Sequence, residues 1–156
     1  MVGRPGSPAS LLVVAAMAFS LAALTFSSSA ASSQNRSLLG MKAFHATKDC
    51  SGMSGLAGAF CTFRSSNVKA IKVGSKIFYF QAGGQTGLNS DTAIYVGRGT
   101  VATGHCRLSS ATGTGLCTIS DGTGALAGFH ARVRVSHDSS IPKLWHWDGT
   151  YGFKQR

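Results

Sequence analysis

The run Phe129-His130-Ala131-Arg132-Val133-Arg134-Val135 has apolar side chains at its odd positions and His130, Arg132 and Arg134 at its even ones. Successive side chains of a strand point to opposite faces, so this run has one buried face and one that is wet or lines something polar. The same period recurs downstream. There Trp145, Trp147, Gly149, Tyr151 and Phe153 share one face, while His146, Asp148 and Thr150 share the other.

Upstream of these runs, short apolar or alternating segments are cut by glycine and small polar residues, and no long stretch has helical periodicity. The pattern predicts strands over 41–47, 60–64, 76–82, 92–96, 99–108, 115–120, 125–137 and 143–154, with one short helical turn near Ser65 to Ile71. Eight strands with short hairpin links predict an all-β domain, an antiparallel barrel or sandwich.

The four cysteines, Cys50, Cys61, Cys106 and Cys117, allow three pairings as two disulfides. Proximity favours Cys50 with Cys61 and Cys106 with Cys117. The second pair brackets a reversal, Ser109 to Gly115, and if the flanking strands pair about it the two sulfurs fall opposite one another. Zinc is disfavoured because no C-x-x-C pair is present.

Disulfides agree with the N-terminus. Met1 to Pro8 carries Arg4 and no acid, and an apolar run from Leu11 leads to the small-residue stretch Ser27 to Ser33. That is the layout of a signal peptide, with cleavage expected after Ala31. The apolar stretch 11–26 is 16 residues, shorter than the roughly 20 a spanning helix needs, so no membrane span is expected in the mature form. The reading gives a signal peptide over 1–31, a flexible leader over 32–41 and one domain over 42–156, with a secreted, extracellular destination. Asn35-Arg36-Ser37 would accept an N-glycan in a eukaryotic host.

After residue 31 the chain holds fourteen Lys and Arg against five Asp and no Glu, a net charge of about +9. Such a charge steers polyanions toward a surface. The basic residues are scattered, however, with no block of five, as on an ordinary solvated surface.

One motif goes beyond alternation. Gly122-Thr123-Gly124-Ala125-Leu126-Ala127-Gly128-Phe129 resembles the G-[ST]-G-x-x-x-G-[AF] hairpin of the allene oxide cyclase and dirigent barrels, and the order of strands and glycine-rich links over about 60–153 is similar to theirs. More specifically, the chain resembles secreted proteins with an allene-oxide-cyclase-like barrel domain. The resemblance implies an eight-stranded antiparallel β-barrel, a homo-oligomer (trimer or dimer), and an apolar cavity for a small apolar or phenolic molecule, with no cofactor. The cyclases use a glutamate, and this chain has none.

On these grounds Phe78, Tyr79, Phe80, Tyr95, Phe129, Trp145, Trp147 and Tyr151, with Phe153, either line a ligand cavity or fill the barrel. His146 and Asp148, two apart on one face, are the candidate acid-base pair, for which the bland alternative is a surface contact. Gly122, Thr123, Gly124 and Gly128 are the turn motif. No metal site is expected. The leading expectation is a secreted barrel that binds or steers a small molecule. Its rivals are an isomerase of the same fold and a basic polyanion-binding or ribonuclease-like protein using His105, His130, His137 or His146.

Overall fold

The computed structural model describes residues 40–154, so the expected signal peptide, the glycosylation triplet and most of the leader lie outside the described residues. The chain forms β1 (Lys42–Asp49), β2 (Phe60–Ser66), β3 (Lys76–Tyr79), β4 (Gly87–Gly97), β5 (Thr100–Ser109), β6 (Thr114–Gly122), β7 (Phe129–His137) and β8 (Leu144–Phe153). Each strand pairs antiparallel with its neighbour in sequence, and β8 pairs back onto β1, closing an eight-stranded barrel. Closure leaves no strand edge unpaired.

The alternation of β7 is realised as expected: Phe129, Ala131, Val133 and Val135 are buried, and Arg132 and Arg134 are exposed. Three expectations are corrected. Ser65 to Ile71 holds no helix but the end of β2 and a bend that buries Val68 and Ile71. The strand expected from Ala125 begins at Phe129, because Gly124–Leu126 is a 3-10 turn. Strand β4 also starts five residues earlier than expected. Its polar residues Asn89 and Asp91 lie on the outer face against β5, while Leu88 and Ser90 point inward.

The interior is divided between the two ends of the barrel. At one end the aromatic side chains pack edge to face: Phe44 stands 6.2 Å from Phe129, 6.0 Å from Trp147 and 5.8 Å from Tyr151 between ring centroids, and Phe63 lies 5.5 Å from Trp147. Leu126, fully buried, plugs that end from the β6–β7 link. Thr123 ties the link to β5 through its backbone N–H, which donates to the Val101 carbonyl at 2.7 Å. Gly124, at φ +57°, runs so close to Gly99 that a Cβ would sit 2.6 Å from the Gly99 carbonyl oxygen. The turn motif is thus the closure of one barrel end.

Candidate functional site: a cavity around Lys48

The other end is open. It is built from the last residues of β1, β3, β5 and β7 and the first of β2, β4, β6 and β8, and it holds a cavity of about 250 Å³. Both disulfides, Cys50–Cys61 and Cys106–Cys117, belong to its wall, in the pairing that proximity favours. Cys106 and Cys117 are direct partners in the β5–β6 register, which aims both sulfurs inward. Leu88, Leu108, Val135 and Trp145 complete the apolar lining, and the exposed Arg107, His137 and Lys143 stand at the rim.

One charged residue lies inside. Phe44, Ala46 and Lys48 alternate with exposed or half-exposed residues along β1, so the period of two carries Lys48 inward, where only 3% of it is exposed. Its Nζ donates to Tyr79 Oη at 2.5 Å and lies 4.9 Å from the centre of the Trp147 ring. The neighbouring acid does not reach it: Asp49 points outward, accepting from Arg64 at 2.8 Å and from the Ser51 N–H. Among the described residues Lys48 has no carboxylate partner.

Removing an ammonium from water disfavours its charged form, and burial lowers the Lys48 amine from its ordinary range to about 7. Burial pushes the Tyr79 phenol up, so it keeps its proton. The Trp147 Nε1–H is also buried and has no acceptor among the described residues. The barrel interior around Lys48 therefore holds donors and, among the described residues, no carboxylate. A small apolar molecule carrying an acceptor oxygen complements such a site.

Of the expected lining residues, Tyr79 and Trp145 reach this cavity, and Trp147 lies fully buried beside the amine. Phe129 and Tyr151 belong to the packed end. Phe78, Phe80 and Tyr95 are not brought to the cavity. Ile77 and Tyr79 take the inward positions of β3, which turns Phe78 outward, where it stacks 5.4 Å from Phe60 and 5.4 Å from Tyr95. Phe80 lies just past β3 and is 47% exposed.

His146 and Asp148 share the outer face, but each bonds elsewhere: His146 Nε2 to Asp138 Oδ2 at 2.9 Å, and Asp148 Oδ1 to His45 Nδ1 at 2.8 Å. The other histidines are likewise held separately, His105 by Asp91 and Asn89, His130 by the Gly128 carbonyl, and His137 against the Trp145 ring.

Sequence reasoning missed Lys48. The signal was present, since Phe44, Ala46 and Lys48 share one face, but the expected strand ended at Thr47, one residue short of it. Compared with known proteins, the chain matches no family model, no curated protein and no solved structure.

Proposed function

We propose that this chain is an exported small-molecule-binding barrel, of the allene oxide cyclase and dirigent type, that holds one apolar or phenolic molecule in the open half of its interior. The observation that carries the reading is the cavity of about 250 Å³ with Lys48 and Tyr79 as its polar anchor in otherwise apolar walls. Sites of this kind gain affinity from apolar burial and orientation from a few polar groups. Two disulfides on one small domain support an oxidising compartment, as does the signal-peptide pattern of the first 31 residues. Steering fits the site better than acid-base isomerisation by His146 and Asp148, because those two side chains face away from the cavity.

The test is a non-denaturing mass spectrum of the protein taken from its own extracellular fluid, followed by titration with apolar and phenolic compounds. Trp145 and Trp147 are the only tryptophans, and both lie beside the site, so their fluorescence reports occupancy. Retained ligand, or saturable binding insensitive to salt, supports the reading. An empty protein that takes up no compound overturns it. The spectrum also reports whether the barrel assembles as a dimer or trimer, for which the outer group of Phe60, Phe78 and Tyr95 is a suitable contact.

A second reading has its own observation. Arg107, Leu116 and Arg134 are successive partners across β5, β6 and β7, Arg132 lies beside them, and none of the three arginines is in an ion pair among the described residues. A polyanion bound along that face would be released steeply as salt rises, whereas the cavity ligand would not.

A further inference from the structure

We propose that Lys48 is a covalent carbonyl site: its amine condenses with an apolar aldehyde or ketone that has entered the cavity, forming an imine inside the barrel. The inference rests on the ligand-binding reading above and gives the ligand a functional group.

Four features of the open half support it. Lys48 lines the cavity, and among the described residues no carboxylate is paired with its amine to hold it as an ammonium. Tyr79 Oη touches it and keeps its proton, so a proton donor and acceptor stands beside the reacting nitrogen. The walls are sulfur, leucine, valine and indole, which admit an apolar chain and little water. The face of Trp147, 4.9 Å from Nζ, would stabilise a protonated imine. Besides Tyr79, the titratable groups facing the cavity are Arg107, His137 and Lys143 at its rim.

The step balances without any further reagent. The Nζ lone pair attacks the carbonyl carbon, an N–C bond forms, and the C=O π pair moves to oxygen, which takes a proton as nitrogen gives one up. The resulting carbinolamine hydroxyl takes a second proton from solvent, with Tyr79 positioned to relay it, and leaves as water while the C=N bond forms; the protonated imine then returns its N–H proton to solvent. One aldehyde and one amine become one imine and one water. Only the unprotonated amine attacks. At pH 7 roughly half of an amine titrating near 7 is unprotonated, against on the order of one in a few thousand for a surface lysine.

The experiment treats the disulfide-intact protein with octanal and cyanoborohydride near pH 7 and maps the labelled peptides by mass spectrometry. Hydride reduces the imine to a stable secondary amine, adding the mass of the aldehyde less one oxygen. The expected result is one adduct on Lys48, formed at least about tenfold faster than on any surface lysine, and suppressed by excess 1-octanol as a competitor without a carbonyl. The variant Lys48→Met with Tyr79→Phe, which removes the amine and its hydroxyl partner together, should lose the selective adduct while the surface lysines keep their slow labelling. If 1-octanol binds the wild-type protein but labelling spreads evenly over the lysines, the covalent proposal is overturned and the cavity reading stands. If neither compound enters, both fall. The competition needs no variant, so misfolding of the double substitution does not obscure the answer.

Discussion

Below pH 7 the folded barrel must hold a charged amine at Lys48 in an apolar interior, whereas the unfolded chain keeps that ammonium in water. The unfolded lysine retains its proton to about pH 10.4, and the folded one releases it near 7. Between those values the unfolded state binds more protons, so stability rises with pH across this window, and below it the full cost is present. Lys48→Met removes the cost. Its stability advantage in urea should be largest near pH 6 and shrink by a few kcal/mol toward pH 9, measured as the difference between the two unfolding curves. A constant difference would show that the amine stays charged throughout. The exposed pairs behave differently. Asp148→Ala removes only the surface contact to His45 and should cost under about 1 kcal/mol in a denaturation curve. Asp138→Ala should destabilise the protein more, because that carboxylate also accepts the N–H groups of Ser140 and Ile141 in the β7–β8 turn. The His146 contact and those N–H bonds hold Asp138 below the usual carboxylate range, so its contribution is lost as pH falls through that lowered value. Neither change should alter ligand uptake.

At the scale of elements, the two ends of the barrel answer to different devices. Gly124 lies at φ +57° with Gly99 against it, and an alanine there would meet both an unfavourable left-handed backbone and the Gly99 carbonyl. Gly124→Ala should cost at least about 1–2 kcal/mol from the backbone alone, read from the unfolding midpoint. At the open end the Cys106–Cys117 bridge closes a short loop, and replacing both residues with alanine should cost about 2–4 kcal/mol while leaving β5 and β6 paired. Both disulfides and most strands were legible in the sequence, because alternation and cysteine proximity are local signals. What was not legible depended on partners across the sheet. The segment Gly87-Leu88-Asn89-Ser90-Asp91 reads as a link, since its residues favour turns. It is a strand because Asn89 and Asp91 find His105 on β5, and because the buried Ser90 hydroxyl accepts the Gln81 N–H and donates to the Asp91 carbonyl. Phe78 and Tyr79 are equally aromatic, and only the pleat of a four-residue strand separates the outer face from the cavity. Lys48 was hidden by a strand boundary placed two residues early, at Thr47 where the strand runs on to Asp49.

Across the whole molecule one closed sheet encloses two unlike interiors, a packed aromatic half and an open half whose walls do not meet. An eight-stranded barrel has room for its own side chains or for one ligand, and here the division falls along the barrel axis. Loss of volume should therefore be costly in one half and gain of volume beneficial in the other. Phe129→Ala, in the packed half, removes a fully buried ring that touches Phe44, Tyr151 and Phe153, and should cost about 3–5 kcal/mol. Val135→Phe places a ring into the cavity from a strand whose backbone is paired on both sides, so the added atoms enter existing space. It should raise stability by about 0.5–2 kcal/mol in the absence of ligand, and it should abolish uptake of apolar compounds as read by Trp145 and Trp147 fluorescence. A stable Val135→Phe protein that still binds would place the ligand elsewhere, on the arginine-bearing outer face or the exposed aromatic group. A destabilised one would mean that the open half is already packed to its limit, since overfilling a tight core costs stability instead of adding it.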